Sequence, residues 1–229
     1  MTAPDGIRVI QVDQLDPRLG RQIVHDPQSR RFAFPRTVEL PTRSFRHRLY
    51  QPSPIPRQRV GCCSCVDQLV KCNAQARSVL YDMDDAEDMY RETTRTDPYE
   101  GEWPPDDTGS SALAACKVAK RLGRIDRYEW IFNGVDGILT ALPHRLVGIG
   151  TFWHRGMFHP DPDNGLVEVS GRQIGGHQWT AVGYNRPLDA IEGVCWWGAW
   201  GMNDRGLFRI RRNDLAELME DFGDAHVTY

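Results

Sequence analysis

Three thiols stand within four positions in Gly61-Cys62-Cys63-Ser64-Cys65, directly after a loop broken by Pro52, Pro54 and Pro56. Behind them Cys65, Val66, Leu69, Val70, Asn73, Ala76 and Leu80 recur at steps of three and four, which is one face of an amphipathic helix. At least one of these cysteines therefore sits at or near a helix N-terminus, where unpaired N–H groups and the macrodipole favour a thiolate. A nucleophilic thiolate needs a base. The histidines are His25, His47, His144, His154, His159, His177 and His226, and His177 stands out. Gly175-Gly176 precede it, and Trp179-Thr180-Ala181-Val182-Gly183-Tyr184 follow it as a strand. A histidine that opens a strand facing a helix N-terminus is the geometry of a Cys–His nucleophile pair. Cys62-x-x-Cys65 is also half of a zinc site, but no second CxxC or His pair at ligand spacing follows it. No metal and no cofactor is expected.

The elements that must position these groups change character along the chain. Residues 1–60 carry much Pro and Arg and little helical periodicity, so 1–53 reads as an extended basic arm. Arg31-Phe32-Ala33-Phe34 and Val38-Glu39-Leu40 are short enough alternations to be strands. After the cysteine helix, Asp82–Arg95 reads as a second helix with acidic residues at its start, and Ser111–Leu122 as a third stopped by Gly123. A fourth, capped by Asn133 or Asp136, runs to Leu142 before Pro143. From Leu146 the period becomes that of strands: Leu146–Trp153, Gly176–Tyr184, Ile191–Trp197 and Leu207–Ile210. Asn213 or Asp214 then caps a last helix. Helices first and an antiparallel sheet second predict an α+β fold, with a helical half over 54–143, a sheet half over 144–229, and the site in the cleft between them.

At 229 residues the chain is long enough for a substantial core, and 40% hydrophobic with 26% charged is a soluble, globular composition. No run approaches the ~18 apolar residues of a membrane span, and no apolar h-region marks a secretory signal. The six cysteines are too clustered for a disulfide framework, so a reducing compartment is expected. The net charge of −3 hides an asymmetry, because residues 1–60 hold eleven Arg against five Asp and Glu. A basic arm on an acidic body can dock on that body or reach an acidic partner. Without an aromatic-interleaved basic patch, no nucleic acid is expected as partner.

Taken in order, five segments resemble the papain-like cysteine peptidases over roughly residues 54–212. They are a Cys opening a long helix; Asp107–Ser111 where the family has its Gly-rich substrate loop; a helix ending Leu122-Gly123-Arg124-Ile125; Gly176-His177 through Gly183-Tyr184; and Trp197-Gly198-Ala199-Trp200-Gly201 through Gly206-Leu207-Phe208-Arg209-Ile210. The short form and Arg-rich composition look most like papain-like proteins encoded by actinobacterial phages. The resemblance implies a papain-like fold, a peptide or protein substrate, and Gly109, Ser110, Gly176 and Trp197 as substrate-facing residues.

It leaves two registers for the nucleophile. The family string Cys-Gly-Ser-Cys-Trp lies over Cys62–Val66 and points to Cys65. The family helix, however, buries positions two, three, six and seven after the nucleophile. Counted from Cys65 these include Asp67 and Lys71, costly to bury unpaired; counted from Cys63 they are Cys65, Val66, Leu69 and Val70. Cys63 is preferred, with Cys65 the alternative. The resemblance also implies an oxyanion donor six residues before the nucleophile. Gln58 fits with a one-residue deletion, while Arg57 holds the formal position. Where the family has the Asn that orients the histidine, this chain has Val194 or Cys195, neither of which orients a ring as an amide does. Trp196 or Trp197 would cover the imidazole.

Two functions follow. The first is a cysteine peptidase or amidase with Cys63, His177 and Gln58 as its catalytic residues. The second is a catalytically impaired papain-like fold kept as a structural or binding component of a virion, its arm docked on neighbouring subunits. An inhibitory propeptide is a third use of the arm, but such segments are usually helical and this one is not.

Overall fold

The computed structural model describes residues 8–35, 39–49, 51–75 and 80–229. Two layers meet edge to face. The helical layer holds α1 (Cys63–Gln75), α2 (Met83–Thr94) and α3 (Ala112–Arg121). The other layer is an antiparallel sheet in the order β4-β9-β5-β6-β7-β8, comprising β4 (Tyr128–Trp130), β5 (Val147–His154), β6 (Gln173–Asn185), β7 (Ala190–Val194), β8 (Leu207–Arg211) and β9 (Asp224–Thr228). The short β3 (Phe45–Arg46) adds to β6 opposite Gly183 and Tyr184. Two more helices, α4 (Gly134–Ala141) and α5 (Arg212–Glu220), pack together on the sheet. None of the helices is long and apolar enough to cross a membrane among the described residues.

Local chemistry explains the helix ends. The Asp82 carboxylate accepts from the N–H groups of Asp84 and Asp85, and Asp85 answers through a capping box. The Ser111 hydroxyl caps α3 through the Ala114 N–H, and Gly123, at φ +68°, follows it where a left-handed residue ends a helix. At α1 the Cys62 carbonyl accepts from Cys65 and Val66, which makes Cys63 the first helical residue. Two apolar cores result. Trp153, Trp179 and Phe208 fill the one under the sheet, and Leu69, Met89, Val118 and Trp196 the one between the helices and the sheet.

Three expectations need correction. Arg31–Phe34 is not a strand: Pro27–Phe32 forms a 3₁₀ helix, with Pro27 at its start and the Asp26 carboxylate accepting from Gln28. Glu39 and Leu40 lie outside any strand, and Val38 lies outside the described residues. The face rule for α1 also fails, because Asp67, Gln68 and Lys71 are as buried as Leu69. Lys71 Nζ meets Asp67 at 2.8 Å and His226 Nε2 at 2.7 Å, while the Thr180 hydroxyl donates to the other Asp67 oxygen at 2.7 Å. Paired charges can occupy a core that unpaired ones cannot.

The arm is not a loose extension. β1 (Arg8–Ile10) and β2 (Ile23–His25) pair as an antiparallel hairpin, and the loop between them, residues 11–22, runs through the cleft.

Candidate active site

The site is assembled from the first turn of α1, the start of β6 and the segment after β7. Cys63 is fully buried, and its sulfur receives the backbone N–H of Gln178 at 3.5 Å. His177, one residue earlier on β6, pairs across the ladder with Thr151 of β5. Its Nε2 lies 3.2 Å from the sulfur of Cys195, and its Nδ1 is buried without a hydrogen-bond partner among the described residues. No hydrogen bond joins Cys63 to the ring directly. Trp197 lies against the imidazole with centroids 4.6 Å apart, and Trp153 meets it edge-on at 5.1 Å. Trp196 instead belongs to the other core.

The remaining thiols stand elsewhere. Cys65 faces α2, its sulfur 3.4 Å from the Thr93 hydroxyl, and burial pushes its thiol up to about 12. Cys62 meets Met83 sulfur at 4.0 Å. Of the two registers, the one starting at Cys63 is the one brought against the histidine strand. Cys195, rather than Val194, is the residue whose side chain meets His177. Its thiol contacts the ring at Nε2.

The cleft is filled by the arm's own loop. The N–H of Arg21 donates to the Gly176 carbonyl at 3.0 Å. The N–H of Ser110 donates to the Gly20 carbonyl at 2.7 Å, and the N–H of Gln22 to the Ser110 carbonyl at 2.9 Å, a parallel bridge. The crossing is too tight for side chains. A Cβ on Gly20 would lie 2.1 Å from the Gly61 carbonyl oxygen, and one on Gly109 would lie 2.2 Å from that of Gly20. Gly109 is at φ +71°, with its N–H held by the Tyr90 hydroxyl at 2.7 Å. Tyr90 in turn donates to Asp107, whose carboxylate accepts from the Gly61 N–H at 2.9 Å. This network fixes the 107–109 segment to the residue two before Cys63.

Gln58 is buried, and its Nε2 donates to the Arg18 carbonyl at 2.9 Å and the Val60 carbonyl at 2.8 Å. One of its N–H groups is thus already on a peptide carbonyl of the arm. Arg57, the formal alternative, pairs by backbone with Trp197. The Arg18 guanidinium stacks over Trp197 at 4.9 Å and pairs with Asp16 at 2.9 Å. Gly109, Ser110, Gly176 and Trp197 all border this loop. The sequence reading missed the loop itself, and also Gln178 and Asp224, which lies on a strand too short to show a period.

Closure sets the charge state. Burial pushes the Cys63 thiol up to about 11, against the pull of the N–H groups of Gln178, Gly20 and Ser64. Burial, and then the charge of Arg18, pushes His177 down to about 3, with Asp16 and Asp67 opposing. The pair is a neutral thiol and a neutral imidazole with the loop in place, not the thiolate–imidazolium expected from the helix dipole alone. Desolvation outweighs the dipole here. A cavity of about 1020 Å³ lies between residues 24–30, α4 and α5, and no thiol lines it.

No protein-family model and no curated protein sequence matches the chain. Solved structures do match by shape. Xylellain, a cysteine protease from Xylella fastidiosa, superposes with a TM-score of 0.73 at 12% identity over 94% of this chain and 97% of its own. Digestive procathepsin L 3 of Tenebrio molitor gives 0.64 at 10% identity over 86% and 73%. Procathepsin B S9 of Trypanosoma congolense gives 0.51 at 14% identity over 92% and 86%. The chain has the α+β fold of the papain-like cysteine proteases.

Proposed function

We propose that the chain is a cysteine peptidase whose cleft is closed by its own N-terminal loop. The observation that carries this reading is the placement of His177 between two elements, with Gln178 on the Cys63 sulfur and Cys195 on His177 Nε2. With the loop withdrawn, His177 Nδ1 takes the Cys63 proton and the thiolate attacks a peptide carbonyl carbon. The oxyanion is held by the Cys63 N–H at the helix start and by the Gln58 amide, freed from Arg18. The imidazolium protonates the leaving amine. Water then gives a proton to His177, adds to the thioester, and releases the acid and the thiol. Ser110 and Gly176, which now bind loop backbone, would bind substrate backbone.

The test is cleavage of a peptide mixture by the chain and by Cys63→Ala, together with iodoacetamide labelling read by intact mass. Cleavage lost with Cys63 supports the reading. Cleavage unchanged, or no labelling of Cys63 under any condition that releases the loop, overturns it.

The second reading, a virion component of phage origin with decayed catalysis, draws on the same closure, since a buried neutral thiol is inert. It requires Cys63→Ala to leave particle assembly intact and the unmodified chain to cleave nothing after loop release.

A further inference from the structure

The loop shows what the cleft accepts. Gly20 lies at the Cys63 sulfur, and the next residue, Arg21, turns its side chain into the sheet layer, where it is wholly buried. An arginine is seldom buried unless a partner waits for it. Here Asp224 accepts from Nη2 at 2.6 Å and from Nε at 3.2 Å, and the Phe222 carbonyl accepts from Nη2 at 2.6 Å. The space is made by Gly150, which pairs with Asp224 across β5 and β9; a Cβ there would lie 2.1 Å from Arg21 Nε. Gln178 borders the same space, its Oε1 2.7 Å from that Cβ position. The Gln178 amide is 2% exposed, and neither of its polar atoms is hydrogen-bonded among the described residues. Arg21 Nη1 and Asp224 Oδ1 are likewise left over. The pocket thus has a carboxylate at its base and more hydrogen-bonding capacity than Arg21 uses.

We propose that this pocket is the specificity site of the cleft and that it selects a basic side chain, arginine above all, with Asp224 as the specificity-determining residue. This rests on the reading of the cleft as a peptidase site. Arg21 is held through backbone bonds to Ser110 and Gly176 on either side, the groups an extended peptide in the cleft would also meet. A guanidinium is the head group that fits a carboxylate, a carbonyl and an amide arranged around one cavity. An apolar side chain in the same place would leave the Asp224 carboxylate without its cation, which is the kind of mismatch that discriminates strongly.

Two measurements on the full chain test this. In Arg21→Ala the pocket is emptied, and agmatine, an alkylguanidinium, should raise the melting temperature of this variant in a saturable way. It should do so neither for the unmodified chain nor for Arg21→Ala/Asp224→Asn. No stabilisation of Arg21→Ala, or equal stabilisation of the double variant, overturns the proposal. If Arg21→Ala does not fold alone, recovery of its folding by agmatine, absent in Arg21→Ala/Asp224→Asn, takes the place of the melting shift, and no recovery overturns the proposal.

The second measurement compares acetyl-Arg-Gly and acetyl-Leu-Gly coumarin amides on the same variant, with glycine at the sulfur as Gly20 is. The Arg substrate should be preferred at least about tenfold in kcat/KM, and Asp224→Leu should abolish or reverse that preference. Cleavage of both at equal rates, indifferent to residue 224, overturns the proposal and leaves the peptidase reading intact. Agmatine binding that depends on Asp224, without any cleavage, supports the pocket and counts against the peptidase.

Discussion

The sulfur of Cys195 lies 3.2 Å from Nε2 of His177, in the place where the related folds' resemblance calls for an amide oxygen. A thiol can act there in two ways. As acceptor it takes the Nε2–H and leaves Nδ1 with a lone pair for Cys63. As donor it puts the ring in the other tautomer, with Nδ1 protonated and useless as a base. Burial raises the Cys195 pKa well above its usual value, so it stays a thiol able to donate. An Asn oxygen can only accept. Cys195→Asn should therefore raise turnover, or the Cys63 alkylation rate once the loop is out, by roughly tenfold or more. Cys195→Val, which can do neither, should lower both. An Asn variant slower than the Val variant would show that the thiol is not a tautomer control.

Loop release should hinge on Gly20. Its missing Cβ is what lets the loop cross Gly61, and that neighbour is backbone, which cannot step aside. Gly20→Ala should displace residues 11–22 without touching Cys63 or His177. The expected outcome is faster iodoacetamide labelling of Cys63 at neutral pH, by about tenfold for each 1.4 kcal/mol taken from docking. Peptide mapping must place the label on Cys63 rather than on Cys62 or Cys65. Unchanged labelling would mean that some other element shields the sulfur.

Docking of the loop should also depend on pH, with a sign fixed by two groups. His177 is held down at about 3 with the loop in place, against an ordinary value of 6.5. Between these values the released state binds the proton and the docked state does not, so docking weakens as pH falls from 6.5 towards 3. The limiting slope is about 1.4 kcal/mol per unit. Cys63 is pushed up to about 11 from 9, so the released state loses its proton first and docking weakens again as pH rises from 9 towards 11. The loop should be tightest between about 6.5 and 9. Hydrogen exchange at the Arg21 and Gln22 amides, corrected for intrinsic rate, reads this directly. His177→Gln should remove the acid limb above pH 4, and persistence of that limb would assign it to other groups.

What the sequence could show was whatever a local pattern carries. The Cys63 helix start, the helix starts near Asp82 and Ser111, the Gly123 stop and the β5–β8 alternation all depend on neighbours within a few residues. The loop in the cleft does not. Leu19-Gly20-Arg21-Gln22 has no period, and its conformation is imposed by Gly61, Ser110 and Gly176, distant residues that compensate for the helical structure the arm lacks. β4 and β9 escaped notice, and Asp224 went with them: β4 has three residues, and β9 follows the last helix after a three-residue turn, at the very end of the pattern. Cys195 was visible as a residue that is no amide, but its contact with His177 Nε2 is a long-range one that spacing does not show.

On α1, Asp67 and Lys71 read from sequence as unpaired if buried, and their actual pairing yields a stability prediction. Asp67 and Lys71 sit at (i, i+4) on α1 with side chains 0% and 1% exposed. Burial opposes the Asp67 charge, yet Lys71 and His226 beside it hold the carboxyl below its usual value. Burial, reinforced by Lys71, lowers the His226 pKa and keeps that ring neutral, so its Nε2 can accept from the ammonium. Lys71→Met removes the cation and strands the carboxylate, at a cost of about 3–5 kcal/mol. Asp67→Asn/Lys71→Met removes both charges while keeping an acceptor for the Thr180 hydroxyl, and should recover most of that loss. Urea midpoints of the two single variants and the double variant measure the coupling. A double variant no more stable than Lys71→Met would show that these residues do not act as a charge pair, and that the packing of the lysine stem, rather than its ammonium, is what α1 requires.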